Sequence, residues 1–301
     1  MKRKIFVVTS VLLFLLTSVG FGWAGERAHY VSGIEGIRCG SVPGPGFYYK
    51  GYNALYLADK LTDKHGDKLP VDFDLTIFAS AHRFIWVSNK KILGGDFFAD
   101  FTVPLIYTDL EVGAAGVDSD KFGLGDICIE PAGLAWHGPH YDLAIALDLY
   151  LPTGDYDEDE PASPGQDFWT FMLTYGGTYY FDAAKTWTAS VLGRYEVNSE
   201  KDSTEVRPGQ VLSFEWGIGK NIAQLWDVGL TGFCSWQITD DRGDDVTWDK
   251  DIHDRVFAVG PEISYFIPSV KLGLSLRSLW EFGAVDRSEG NITTLTIVKV
   301  F

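Results

Sequence analysis

The chain has 301 residues, with 25 Lys and Arg against 41 Asp and Glu, a formal net charge of −16. A chain this acidic lacks the basic footprint that nucleic-acid binding demands, and charge alone does not draw it to anionic lipid. Aromatics at 15% and 33 glycines suit all-β structure with interfacial aromatic girdles, and a mean hydropathy of +0.01 does not argue against a membrane barrel, which shows lipid only alternate residues.

Lys2-Arg3-Lys4, an apolar run from Ile5 to Leu16 and the small residues of Gly22-Trp23-Ala24 form the pattern of a secretory signal peptide, residues 1–24, with cleavage expected after Ala24. Its loss takes Lys2, Arg3 and Lys4 away, so the charge becomes −19. A membrane anchor needs roughly 18 apolar residues. The run to Val19 falls short and contains Thr9, Ser10, Thr17 and Ser18. No later stretch offers a helical span, so a membrane form of this chain must be a closed barrel.

Residues 25–46 are rich in Gly and Pro and carry no periodicity. They read as an irregular lead-in, either periplasmic or tucked into a lumen. Phe47 to Ala58 is tyrosine-rich, as expected of a strand at a membrane–water interface. After a charged loop, Val71, Phe73, Leu75, Ile77 and Ala79 alternate with Asp72, Asp74, Thr76 and Ser80. A turn around Ser88 to Gly95 leads to Asp96–Tyr107 and then a Gly-rich loop to Lys121. Gly123 to Trp136 reads as the next strand, with Pro131 expected at a bulge because proline cannot donate to a ladder. The four-residue turn His137-Gly138-Pro139-His140 precedes the clearest alternation of all. Tyr141, Leu143, Ile145, Leu147, Leu149 and Leu151 lie on one face; Asp142, Ala144, Ala146, Asp148 and Tyr150 lie on the other. An acidic loop with Asp155, Asp157, Glu158, Asp159 and Glu160 follows. Strands are then expected at Phe168–Phe181, Thr186–Asn198, Gln210–Lys220, Leu225–Thr239, Arg255–Phe266, Val270–Phe282 and Asn291–Phe301.

That makes twelve strands, joined alternately by short turns and longer charged loops. A soluble sandwich, the main competing architecture, has no reason to sort its connections by length. An outer-membrane barrel does, with brief periplasmic turns and longer exterior loops. The expectation is therefore all-β: a single antiparallel transmembrane β-barrel over residues 47–301, in a Gram-negative outer membrane. The terminal aromatic Phe301, in phase with Leu295 and Ile297, fits the carboxy-terminal signal taken by the barrel-assembly machinery, with Lys299 at a place usually apolar.

Several stretches also resemble the MetA-pathway of phenol degradation family. They are the lead-in HYVSGIEGIRCGSVPGPGFYYKGYNALYLAD, GLGDICIEPAGLAWHG, LDLYLPTGDYD, RYEVNS, VGPEISY and the terminal Phe. The most diagnostic positions are Gly125, Asp126, Pro131 and Trp136 with the Leu151–Gly154 arm; Gly44 interrupts an otherwise fuller proline run. The resemblance implies an outer-membrane, transporter-like barrel associated with breakdown of aromatic compounds. It carries no catalytic set.

With apolar faces toward lipid, a polar set is left for the lumen: Asp126, Glu130, Asp142, Asp148, Arg194, Glu196, Glu215, Glu262, Lys271, Arg277 and Glu281. An Arg or Lys facing hydrocarbon costs roughly 2–4 kcal/mol at mid-bilayer, which turns such residues inward. There they either line a conduit for small hydrophobic or aromatic solutes or pair across the interior and close it. A calcium loop at Asp155-x-Asp157-x-Asp159 is disfavoured by Glu160 and Gln166 at its sixth and twelfth positions. The bland alternative is a solvated loop bridged to lipopolysaccharide by divalent ions. The six histidines show no zinc spacing, and GLGDI is a lone GxG. Ser80 and His82 share a face, the only hint of a hydrolase. Cys39, Cys128 and Cys234 read as isolated small hydrophobes, with a Cys128–Cys234 bridge as the alternative. The functional expectation is passive uptake with no cofactor and no enzyme activity. A non-conducting structural or adhesive barrel and a lipid-modifying enzyme are the alternatives.

Overall fold

The computed structural model describes residues 28–301, so the signal-peptide expectation for residues 1–24 lies outside the described residues. Among the described residues there are thirteen strands: β1 Gly46–Leu61, β2 Phe73–Ile92, β3 Gly95–Val112, β4 Val117–Leu124, β5 Ile127–His137, β6 Tyr141–Leu151, β7 Thr170–Tyr180, β8 Trp187–Asn198, β9 Val211–Ile222, β10 Trp226–Gln237, β11 Arg255–Ile267, β12 Leu272–Val285 and β13 Ser288–Val300. All pairings are antiparallel, between strands consecutive in the chain except that β5 pairs with β3 in place of β4, and β1 pairs with β13 to close the sheet on itself. Closure pairs every strand on both sides except β4, which pairs with β3 alone; a membrane-spanning sheet needs such closure.

The ring has twelve staves, because β4 and β5 share one. β4 pairs with the Leu105–Val112 half of β3 and β5 with the Asp96–Thr102 half. The single expected strand Gly123–Trp136 is thus mostly β5, with only Gly123 and Leu124 belonging to β4. The break at Gly125-Asp126 lies opposite Pro104, which has no N–H to offer; the Pro104 carbonyl takes the Gly125 N–H at 3.0 Å. The register of β5 against β6 shifts between Ile129 and Ala132, which places a bulge at Pro131, as its missing donor predicts. The expected Gly-rich loop to Lys121 is instead a tight turn followed by β4. Its alternation is hidden by Asp, Ser and Gly, which favour turns in isolation. Likewise Ser88–Ile92 belong to β2, and the turn is Leu93-Gly94, both at positive φ.

The inner connections, at residues 93–94, 138–140, 181–186, 223–225 and 268–271, are short. At the other end, residues 62–72, 152–169, 199–210 and 238–254 are long loops, while 113–116 and 286–287 are tight turns. The segregation is therefore real at one end and incomplete at the other. Outward-facing Leu143, Ile145, Leu147, Val191, Ile218, Leu230 and Leu276 form an apolar band, bounded by Tyr141, Tyr179, Trp187 and Trp226 at the short-turn end. Trp169, Phe171, Trp280 and Phe282 bound it at the long-loop end.

On β2 the expected facing inverts. Phe73, Leu75, Ile85 and Val87 are buried inside, and Phe78, Phe84 and Trp86 look outward. Inside, Phe73 and Leu75 pack with Ala58, Leu110 and Val112 near the outer mouth, so this lumen wall is itself apolar. Ser80 and His82 consequently sit on the outer wall. The Ser80 hydroxyl donates to Asn53 Oδ1 at 3.0 Å, and His82 Nδ1 meets the Tyr49 hydroxyl at 2.8 Å. All three cysteines are free thiols, so the alternative Cys128–Cys234 bridge is not formed.

Candidate functional site

The irregular segment 28–45 occupies the barrel interior. It starts at the long-loop end, where His29 meets Thr170 and Asp126 at 2.6 and 2.9 Å. It ends at the short-turn end, where the Ser41 hydroxyl donates to Asp142 at 2.9 Å and the Tyr48 hydroxyl donates to the Gly44 carbonyl at 2.7 Å. A non-repeating backbone has no ladder to satisfy its N–H groups, and every buried donor needs an acceptor. The wall supplies carboxylates. Glu196 accepts the His29 N–H at 2.9 Å, Glu215 the Glu35 N–H at 3.0 Å and Glu262 the Ile37 N–H at 2.9 Å. Arg277, buried on β12, donates to the Ile34 carbonyl at 2.6 Å while holding Glu262 at 3.0 Å. Gly36 lies at φ +86°, in the left-handed region that suits glycine.

The lumen residues expected from the alternation fall into local groups around this segment. Asp126 caps its outer end and also accepts the Gly154 and Gln166 N–H groups, tying the wall break to the 152–169 loop. Arg194 pairs with Glu215 at 3.2 Å and lies 3.7 Å from the Tyr30 ring centroid. Glu130 faces Arg83 at 3.3 Å, and Asp148 accepts from Thr174 at 2.7 Å. Asp142 accepts from Tyr180 and Ser41. Glu281 stands apart near the outer rim, bonded to Tyr56 and to the Gly290 N–H. Lys271, also expected inside, is exposed in the turn between β11 and β12, because that turn at positive φ takes it past the end of the wall.

Sequence reasoning missed the centre of the site. Glu35 Oε1 accepts from Tyr52 at 2.8 Å and Arg83 at 3.0 Å, with Arg194 at 3.6 Å, and its other oxygen pairs with Lys50. Lys50 and Arg83 come from β1 and β2 and Arg194 from β8, on the opposite side of the ring, so this one carboxylate bridges the lumen. Burial pushes the Glu35 carboxyl up, but Lys50, Arg83 and Arg194 together outweigh it and hold the group well below the usual carboxylate range. A lowered folded-state value means that its stabilising contribution is present above the ordinary carboxylate pKa and fades only as pH falls toward the lowered one. One signal was available: Arg83 is the lone charge on the β2 face that otherwise runs Phe73, Leu75, Ile77, Ala79, Ala81, Ile85, Val87. Glu35 and His29 sit in aperiodic sequence and gave none.

Around Glu35 the lumen divides into chambers. On the outer side lies a cavity of about 140 Å³, walled by Ala54, Ala79, Ala81, Pro104, Ile106 and Met172 and roofed by Pro164 and Gln166. On the inner side lie two chambers of about 410 Å³ each, one toward Ile85, Phe98 and Leu192, the other toward Asp227, Tyr265 and Leu274. Glu35 borders all three. A Gly36→Ala substitution tests how firmly the interior segment, the septum between these chambers, is seated: its Cβ would land on the Arg277–Glu262 pair, at a backbone angle that alanine resists. The expected cost is ~1–3 kcal/mol, read as faster amide exchange in residues 29–43 with strand exchange unchanged.

A family model described as "Putative MetA-pathway of phenol degradation" matches residues 58–297. Among solved structures the chain is similar to an outer membrane channel from Pseudomonas putida F1, at 16% identity and TM-score 0.76, covering 91% of this chain and 100% of that one. It is also similar to the transport unit of the autotransporter AIDA-I from Escherichia coli, at 8% identity and TM-score 0.51, covering 85% and 90% of the two chains. The translocator domain of the autotransporter NalP from Neisseria meningitidis gives 9% identity and TM-score 0.50 over 86% and 90%. These identities speak to the fold alone. The curated proteins contain no match.

Proposed function

Because the chain belongs to this phenol-degradation family and has the fold of an outer-membrane barrel, we propose that it admits small hydrophobic and aromatic compounds passively across a Gram-negative outer membrane. The observation that carries the reading is the outer chamber. Its alanine, proline, isoleucine and methionine side chains, together with Arg83, Asp100, Asp148 and Arg194, line about 140 Å³, a volume close to the roughly 150 Å³ that takes up benzene in an apolar cavity. The apolar cluster of Phe73, Leu75, Leu110 and Val112 lies toward the outer mouth and the Ile85–Phe98 surface lines an inner chamber, so β2 and β3 carry apolar wall on either side of the Arg83–Asp100 pair. Passage down such a wall needs no cofactor and no bond-making step.

The likeness to a Pseudomonas putida outer membrane channel is consistent with this reading. The acidic outer loops, including Asp155, Asp157 and Asp159, are suited to bridging lipopolysaccharide through divalent ions. The β13 strand with Phe301 just after it is suited to the barrel-assembly machinery. The competing reading is a non-conducting barrel, favoured by the bolted interior segment.

The test is solute entry into proteoliposomes with a lipopolysaccharide outer leaflet, since plain phospholipid is itself permeable to phenol-sized molecules. Wild-type protein is expected to speed entry over protein-free vesicles, and Ala81→Trp, which fills the chamber, to abolish most of that gain. Entry no faster than in protein-free vesicles would leave the non-conducting barrel as the answer.

A further inference from the structure

We infer that the Glu35 carboxylate occupies a binding site for the carboxylate of a small aromatic acid, and that exchange between the two is how a solute passes from the outer to the inner chambers. This rests on the uptake reading for its consequence, though not for the site itself.

Four donors from three strands converge on one carboxylate: Lys50 Nζ, Tyr52 Oη, Arg83 Nη1 and Arg194 Nη2. Planar, multiply hydrogen-bonded contact with Arg is what carboxylate recognition uses. The carboxylate belongs to a segment outside the wall, so the wall keeps its donors when the segment shifts. Other acids are near. Asp100 and Glu130 pair with Arg83, and Glu215 pairs with Arg194, so these two guanidiniums retain partners of their own. The ion pair of Lys50 is with Glu35. Withdrawing Glu35 therefore leaves a largely buried ammonium without its anion, and a neutral solute does nothing to offset that cost. An arriving carboxylate does.

A second observation points the same way. The Nε atoms of Arg83 and Arg194 are buried and have no hydrogen-bond partner among the described residues, yet both side chains border the chambers above and below the septum. Two unspent donors beside a carboxylate slot leave hydrogen-bonding capacity for a further acceptor once the side chains shift. The ring of the solute has a place on either side: the Ala79–Ala81–Ile106 wall outside, or the Ile85–Phe98–Leu192 surface inside. Ligand and chain would thus compete for one set of donors, with Glu35 serving as the resident substitute.

The experiment titrates detergent-folded wild type, Glu35→Ala and Glu35→Gln with benzoate and with benzyl alcohol, following intrinsic fluorescence and thermal unfolding. Emptying the slot is expected to tighten benzoate binding by about tenfold or more, the scale of a charge-assisted contact, with benzyl alcohol unchanged across the three proteins. Glu35→Gln, which keeps the side-chain shape, gives the same direction and guards against a packing effect of the alanine. Benzoate that binds all three alike, or benzyl alcohol that gains as much, overturns the site. The vesicle assay separates the two readings. If benzoate selects the Glu35 variants while neither solute crosses the wild-type barrel, the site stands and uptake fails. If solutes cross but benzoate ignores the substitutions, uptake stands and the site fails.

Discussion

Arg277→Met is expected to cost ~3–5 kcal/mol, the range for leaving one member of a buried ion pair without its partner. Arg277 is 2% exposed and Glu262 7%, so water does not compensate for the missing guanidinium. The loss reaches beyond the pair. Glu262 also accepts the Ile37 N–H, and Arg277 donates to the Ile34 carbonyl, so both anchors of residues 34–37 are weakened together. Adding Glu262→Leu should recover much of the loss, because an apolar pair leaves no stranded charge. Urea unfolding in lipid vesicles measures both variants. A double variant no better than the single one would mean that the backbone of the interior segment, and not the stranded carboxylate, sets the cost.

Ile145→Arg is expected to cost ~2–4 kcal/mol in the same assay, the price of a guanidinium at mid-bilayer. Ile145 lies near the middle of β6 and is 42% exposed, outside the barrel and level with the apolar band. The control is its neighbour on the other face. Ala144→Ser, facing a lumen that already holds Asp142 and Asp148, should change stability by only tenths of a kcal/mol. Equal tolerance of both substitutions would place water, and not hydrocarbon, against the outer face and would undo the membrane reading.

The uneven legibility of the sequence follows from where periodicity exists. On β6 one face is continuously large and apolar, and on β8, β9 and β10 it is largely so, so strand, face and inward residues such as Asp142, Arg194, Glu196 and Glu215 could be located. On β2 both faces carry apolar residues, and alternation alone does not say which one meets lipid. The structure decided that, because Phe73 and Leu75 pack with Leu110 and Val112 inside the outer mouth. β4 was hidden for a related reason: Asp118, Ser119 and Asp120 read as loop until β3 supplies their hydrogen-bond partner.

By itself, then, the sequence determined an acidic, closed, antiparallel barrel with an aromatic-edged apolar exterior and a charged interior. Period-two alternation and the hydrocarbon's exclusion of charge are local constraints, visible strand by strand. What only the tertiary structure decided is the content of the lumen. Residues 28–45 have no repeat, so nothing in their order announces that their backbone will seek Glu196, Glu215 and Glu262. Nor does it announce that Glu35 will meet Lys50, Arg83 and Arg194 from opposite walls. Those partners are far apart along the chain, and only closing the ring brings them within reach of one carboxylate.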